Sequence, residues 1–505
     1  MKIISAFLKN EGEILKLKIN LKNLKRYFIL IFIFLIFSSA SVEAVTKAEF
    51  IGSLLKARDI DWSETSEFQN KSPVAFMLRC GLITDDVKDL QKNVTRREAL
   101  RWIIQSLGLS FEAGIFSDYP TGFDDDKNLT SYERGCLVVA SNMNPFIFSK
   151  SEKFNGQSPV SAKEFQILMS RVSEASKNLT LDMVRNPLKG LRVFIHREGV
   201  LSGIPNWRFY ADGIKTRPAA DTFKKSLNSS GIEAKVFTYE NTFGVRTEKL
   251  ESYHEIKKLI SIAKARGLTF RVLPSFSNVK TEIVPRFWIR LNIDPTYWKI
   301  SPLISKNSTK DLLTLSQLSK QYGAKASINA GFFATTTPGH GYPIGALKIN
   351  GNLINEAMDG RGCLGWNDDD EAIFDVVANS EEINEWYEME NIIQAGPLLL
   401  DDGEASTVDE NFNNSLTAVR HPRSAIGINS EGDWVFVVVD GRNGLHSSGA
   451  TISEFTEILR SQGITYALNL DGGGSTEIII NGKIYNSPSD GHERKISYAL
   501  AALSR

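Results

Sequence analysis

The stretch YALNLDGGGSTEIIINGK, residues 466–483, runs from one apolar segment through a lone aspartate, three glycines and two hydroxyl residues into a second apolar segment. Glycine reaches positive φ without steric cost, so Gly-Gly between two strand-like runs reads as a hairpin turn. A two-residue hairpin needs only one or two glycines. The third, followed by Ser475 and Thr476, points to a backbone that another group approaches closely. Asp471 would then close a strand beside exposed N–H groups and two hydroxyls, a combination suited to an anion or a sugar ring. On this stretch alone both readings stand, turn and site.

The surrounding region, 285–505, is rich in glycine and in apolar strands, and it holds four of the six histidines: His340, His421, His446 and His492. Runs such as DWVFVVVDG (433–441) alternate with the helical segments KDLLTLSQLSKQYG (310–323) and TISEFTEILRSQG (451–463), each ending in a C-cap glycine. This predicts a larger mixed α/β domain whose special residues lie at strand ends, where such sheets build their sites. Four further segments fit that expectation. SINAGFF (327–333) ends a strand at Asn329, and QAGPLLL (394–400) sets Gln394 and Gly396 before a proline. RHPRSAIGI (420–428) brings Arg420 and Arg423 together, and VVVDGRNG (437–444) ends a strand at Asp440, with Arg442 following. Singly these read as turn caps, backbone braces or solvated surface. Jointly they offer carboxylates, guanidinium forks, an amide and bare backbone N–H groups. The histidines are not at metal-like spacing, so the metal assignment stays unknown. No cofactor is called for, although a divalent cation between the two aspartates and a phosphate is compatible with the set.

Together the five segments resemble the phosphodiester glycosidase family. Its pattern has an Asn-Gly-Gly-Phe-Phe-like stretch, Gly-Pro-Leu-Leu, Arg-His-Pro-Arg-[ST]-Ala, Asp-Gly-Arg and Asn-Leu-Asp-Gly-Gly-Gly-Ser-Thr. Order and spacing agree over 285–503. Ala330 stands where glycine is usual, and Glu477 follows Ser-Thr where a small or hydroxyl residue is common. The resemblance implies hydrolysis at the anomeric carbon of a sugar-1-phosphodiester, of the N-acetylglucosamine-1-phosphodiester kind. A leaving phosphate suits the planar Arg fork, so Arg420 and Arg423 are the candidate clamp, with Arg442 beside them. The N–H groups of Gly472, Gly473 and Gly474 would assist. An oxocarbenium-like transition state is served by a carboxylate pair, for which Asp440 and Asp471 are the candidates. Asn329, Gln394, Gly396, Ser475 and Thr476 would hold sugar hydroxyls or order water. Two rivals share these residues: a non-catalytic cell-wall glycan-binding protein, and an exopolysaccharide-processing transglycosidase.

The rest of the 505-residue chain places this domain in a larger protein, with about three domains expected from length. Lys plus Arg equals Asp plus Glu at 59 each, so bulk charge gives no case for a nucleic-acid partner. Cys80, Cys136 and Cys363 lie far apart, and form neither a disulfide framework nor a zinc site. Lys22, Lys25 and Arg26 precede YFILIFIFLIF (27–37) and SSASVEA (38–44), the three parts of a signal peptide over 1–44. That run is short of the roughly 20 residues of a membrane span. A secreted or envelope location follows, periplasm or cell surface, with no membrane span after cleavage.

Over 45–175, VTKAEFIGSLLKA, VTRREALRWIIQSLGL and PVSAKEFQILMSRV are mutually similar, and each opens with a hydroxyl N-cap and a glutamate three residues on. They resemble degenerate S-layer homology repeats, which implies a helical module and cell-wall polysaccharide as a partner. Lys47, Arg97 and Ala162-Lys163 depart from the family's Thr-Arg-Ala-Glu motif. Over 190–275 a βαββαβ order, opening with the strand LRVFIH (191–196), predicts a small α+β middle domain. It looks like the sporulation-related repeat domain, whose family contacts peptidoglycan.

Overall fold

The computed structural model describes residues 44–60, 72–148, 152–200, 203, 205–239, 242–250, 252–276, 284–335 and 340–505. The expected signal peptide, 1–44, lies outside the described residues except for Ala44. Among the described residues no helix is long and apolar enough to cross a membrane, and all three cysteines are buried and free.

The three similar N-terminal segments meet in a ring. Val94 N–H donates to the Val45 carbonyl, Val160 to Val94, and Val45 back to Val160, at 2.9, 2.9 and 3.3 Å. From each corner a helix departs: Lys47–Ala57, Arg96–Ser106 and Ala162–Asn178. Thr46 and Thr95 make full capping boxes with Glu49 and Glu98, whereas Ser161 caps Glu164 N–H alone. Ion pairs follow the same rotation, Lys47 to Glu98 at 2.6 Å and Arg96 to Glu164 at 3.1 Å. The third place is broken, because Ala162 stands where a base would reach Glu49.

The C-terminal part is built from antiparallel sheets in layers. A nine-stranded sheet runs, in spatial order, Met143–Asn144, Thr180–Leu188, Leu191–Glu198, Arg286–Ile293, Trp434–Val439, Arg423–Asn429, Ile464–Asn469, Leu398–Asp401 and Glu404–Ala405. All its ladders are antiparallel, as short hairpins such as 430–433 between its two central strands require. A five-stranded sheet packs against it, ordered Lys483–Ile484, Ile478–Ile480, Ala326–Asn329, Tyr498–Ser504 and Trp298–Ile304. The run WVFVVV (434–439) is apolar throughout because both of its faces are covered. Trp434, Phe436 and Val438 face the second sheet, while Val435, Val437 and Val439 meet Phe455, Ile458 and Leu459 of the helix Ile452–Ser461. On the far side, Leu315 and Leu318 of the helix Leu315–Tyr322 cover Leu303, Ile479 and Ala501. That helix starts later than the sequence suggests, because the Thr314–Gln317 capping box fixes its first turn.

The middle unit is a four-stranded antiparallel sheet ordered Ala234–Tyr239, Thr242–Thr247, Pro205–Ile214 and Thr269–Phe276, with helices Arg217–Ser229 and Tyr253–Ala265. Its first strand is Pro205–Ile214. The expected opening strand, 191–196, instead pairs along its whole length with Arg286–Ile293 in the large sheet. Its alternating burial, with Leu191, Val193 and Ile195 in the main core, suits either sheet, and only the partner decides.

Candidate active site

The turn quoted at the outset sits where both large sheets end. Asp471 N–H donates to the Ala330 carbonyl (2.9 Å), Leu470 N–H to Ser424 (2.8 Å) and Gly473 N–H to Pro422 (3.0 Å). Asn329 crosses between the sheets: its amide donates to the Asp471 carbonyl (2.6 Å) and accepts from Ser424 Oγ (2.7 Å) and Glu477 N–H (3.1 Å). Gly473–Ser475 makes one 3₁₀ turn. A Cβ on Gly472 would lie 2.7 Å from the Pro422 carbonyl, one on Gly473 2.8 Å from Arg442 Nη2, and one on Gly474 2.0 Å from Arg494 Nη2. Gly473 also has φ 62°, in the left-handed region. The three glycines therefore make room first for the protein's own arginines. The expectation that their N–H groups face a ligand is revised for two of them, since Gly472 N–H bonds Asp471 Oδ1 (2.9 Å) and Gly473 N–H bonds Pro422.

A cleft of about 340 Å³ opens over this turn, lined by Asp471, the three glycines, Arg423, Arg442, Arg494, His421 and Asn469 among others. Burial at its floor raises the Asp471 carboxyl, opposed by the Ser475 hydroxyl, Arg494, the Gly472 N–H and Arg442. Arg423 is 3% exposed. It donates to the Ala450, Leu416 and Val419 carbonyls at 2.9, 2.5 and 3.0 Å, and burial, then neighbouring Arg442, lowers it to about 10. Arg442 is exposed at φ 61°, a left-handed conformation that is uncommon for a bulky residue and is held here by a tight turn. In that turn Asn443 and Ser447 exchange backbone hydrogen bonds of 3.0 and 2.7 Å. Neither Arg423 nor Arg442 forms an ion pair among the described residues. His421 lies 3.4 Å from Arg442 and is lowered by burial and by both arginines.

The other predicted residues are placed differently. Asp440 does not line the cleft and is 1% exposed. Its carboxylate accepts from His446 Nε2 (2.8 Å), Asn486 Nδ2 (2.9 Å) and Ser487 N–H (2.8 Å), so both oxygens are engaged. His446 in turn contacts Glu112 of the N-terminal helical region at 3.0 Å, and Glu112 pairs with Arg197 at 3.0 Å. This corrects the expected carboxylate pair: Asp471 faces the cleft and Asp440 faces a buried histidine. Arg420 also points elsewhere, forked onto Glu454 at 2.5 to 3.1 Å outside the cleft. Gln394 braces backbone, accepting from Ala346 (3.1 Å) and Met358 (2.7 Å) and donating to the Met358 carbonyl (2.7 Å). Gly396 is bonded both ways to Asn469 (2.9 and 2.8 Å), and a Cβ there would strike Glu410 at 2.3 Å. Thr476 Oγ1 is buried without a partner among the described residues, and is not part of the cleft wall.

Among the cleft residues not singled out from sequence are Asn469 and Arg494. Asn469, the last residue of its strand and two residues before Asp471, keeps its buried Oδ1 without a partner among the described residues. Its position in NLD carried that signal. Arg494 comes from the loop after the last hairpin, bonds Asp490 at 2.7 and 2.9 Å, and reaches Ser475 at 3.5 Å. No sequence spacing pointed to it. Among the described residues no three His, Cys, Asp or Glu side chains are grouped to hold a metal ion.

Residues 322–503, which carry the turn and all the cleft residues, match the family model described as "Phosphodiester glycosidase". This stretch is a phosphodiester glycosidase domain. The chain is 25% identical over 187 residues to the N-acetylglucosamine-1-phosphodiester alpha-N-acetylglucosaminidase of Mus musculus, covering 33% of this chain and 34% of that one. It is 46% identical over 78 residues to the SPbeta prophage-derived uncharacterized protein YomE of Bacillus subtilis (strain 168), covering 15% of this chain and 12% of that one. The chain thus spans about a third or less of the length of these relatives. Among solved structures it is similar to the catalytic domain of the zebrafish N-acetylglucosamine-1-phosphodiester alpha-N-acetylglucosaminidase, with TM-score 0.38 and 18% identity over 60% of this chain and 90% of that one. Within the glycosidase domain, the cleft over Asp471 is the candidate active site.

Proposed function

We propose that the chain hydrolyses the glycosidic bond of a sugar-1-phosphodiester, of the N-acetylglucosamine-1-phosphodiester kind, in the cleft over Asp471. The observation that carries this is a carboxylate with raised proton affinity in one cleft with Arg423 and Arg442, neither of them paired with a carboxylate. Arg423 is a buried cation without a counter-ion, which is costly, so such a cleft favours an anionic ligand. In this reading Arg442, with Arg423 and Arg494 behind it, gathers the phosphate and stabilises it as it leaves. Asp471 acts at the anomeric carbon, as base for a water molecule or as nucleophile. Phosphate leaves readily, so a second acid in the cleft is not required, in keeping with an Asp440 that serves as a positioning residue. Asn469 Oδ1 accepts from a sugar hydroxyl.

Support for an exported, envelope-facing protein comes from the leader-like pattern at the N-terminus and from the three-cornered helical ring. An envelope glycoconjugate that carries a sugar-1-phosphodiester is the natural substrate we assign, with the ring as the wall-binding part. Release of N-acetylglucosamine from its 1-phosphodiesters by the full chain tests the reading, beside Asp471→Asn and Arg442→Ala. Release by wild type that both variants lose supports it. Sugar bound but never released returns the protein to the glycan-binding alternative, and sugar transferred to an added acceptor sugar in preference to water favours the transglycosidase.

A further inference from the structure

A second cavity, of about 300 Å³, adjoins the charged cleft, and Phe332 and Leu416 line both. Its chemistry is the opposite. Phe333, Ile344, Met358 and Phe412 provide the walls, and Met358 and Ile344 leave 43% and 38% of their surface in the open. Large apolar side chains exposed around a concavity mark a place that an apolar group covers. Much of the polar capacity present is already committed. Gln394 spends its amide on the backbone of Ala346, Met358 and Arg361. Arg361 lies 4.2 Å over the Phe412 ring and donates to the Glu410 carbonyl. The shared wall is also tied to the anion side, because Arg423 Nη2 donates to the Leu416 carbonyl at 2.5 Å.

We propose that this cavity seats an apolar alcohol esterified to the phosphate, so that the substrates are sugar-1-phosphodiesters of aryl, alkyl or isoprenoid alcohols. The inference rests on the hydrolase reading above. The phosphate sits at Arg442 and Arg494, the sugar over Asp471, and the alcohol's carbon chain passes Phe332 and Leu416 into the pocket. A rim of Met358 and Ile344 suits a flexible or aromatic chain better than a second sugar, whose hydroxyls would find the pocket's amide already engaged and its guanidinium stacked on Phe412.

The test compares the methyl and benzyl phosphodiesters of α-N-acetylglucosamine 1-phosphate as substrates of the full chain. Binding of methyl phosphate and benzyl phosphate is measured by calorimetry alongside. The benzyl diester is expected to have at least about tenfold higher kcat/KM, and benzyl phosphate to bind more tightly by a similar factor. Phe412→Ala and Met358→Ala should each pull the benzyl-to-methyl ratio toward one. Equal kcat/KM for the two diesters in wild type overturns the inference. Tighter binding of benzyl phosphate without turnover of either diester supports the pocket and overturns the hydrolase reading. Equal binding with no turnover overturns both.

Discussion

The buried chain Arg197–Glu112–His446–Asp440 gives a stability prediction whose size can be worked out. Its side chains are 0, 0, 3 and 1% exposed, with contacts of 3.0, 3.0 and 2.8 Å. Burial works against a charged imidazole, but Glu112 and the Asp440 hydrogen bond outweigh it and push His446 up to about 9. The folded-state value lies above the ordinary 6.5. The stabilisation is therefore fully present below pH 6.5 and is lost as pH rises through about 9. At about 1.4 kcal/mol per pH unit, the move from 6.5 to about 9 is worth roughly 3 kcal/mol. Urea unfolding of wild type and His446→Gln at pH 6 and pH 9.5 isolates this contribution, because other titrating groups are common to both proteins. The stability difference between them should shrink by about 3 kcal/mol from the lower to the higher pH. Glu112→Gln should cost about 3–5 kcal/mol near neutral pH, by stranding the buried Arg197 and leaving His446 with Asp440 alone. A wild-type advantage that is flat across this range would refute the reasoning, since it would mean that His446 is neutral in the fold. The chain also bears on the cleft. Asp440 receives His446 on its carboxylate and Ser447 on its carbonyl, closing the turn that carries Arg442, and it holds Asn486 and Ser487 at the start of the loop that leads to Arg494. Loss of Glu112 should therefore lower kcat as well as stability.

Other outcomes follow from the same geometry. With Asp471 acting in its ionised form and burial raising its proton affinity, kcat/KM should fall as pH drops through a value above the ordinary carboxylate range, and Asp471→Asn should abolish the profile with the activity. Arg442→Ala should weaken phosphate binding by tenfold or more, whereas Arg420→Ala, which removes only an exposed pair with Glu454, should change activity less than twofold by the same titration. Gly474→Ala drives a methyl into Arg494 and Asp490 and should cost about 1–3 kcal/mol in thermal unfolding, with kcat reduced further. Burial, reinforced by Glu493, pushes Glu477 up to about 9, so Glu477→Gln should raise stability at pH 8, where the unfolded chain ionises this side chain and the folded one does not.

What the sequence disclosed was what short-range chemistry determines. Capping boxes at Thr46 and Thr95 announced helix starts because donor and acceptor lie three residues apart. The strand end at Asp471 was legible because glycine, serine and threonine follow an apolar run. The choice between Asp440 and Asp471 was not. Both close apolar strands before a glycine, and the difference lies in His446 and in Glu112, more than 300 residues away in the chain. Arg420 and Arg423 flank one proline, yet only the second turns inward, because Arg423 opens the strand while Arg420 lies before it, forked onto Glu454. Arg494 escaped notice because its partner is the empty face of Gly474, visible only once the loop is folded back. Asn469 could have been found as the polar residue that ends the apolar run two places before Asp471.

The joints between regions are side chains threaded into one another. Lys483 reaches the Ile115 carbonyl at 2.8 Å and Asp118 at 3.1 Å, Trp207 donates to the Cys80 carbonyl at 2.8 Å, and Arg271 meets Asp490 at 3.0 Å. One hydrophobic cluster runs from Val45 to Ala502. A helical head and a cleft fastened in this way cannot swing on a tether. The distance between the two is set by the thickness of the protein itself.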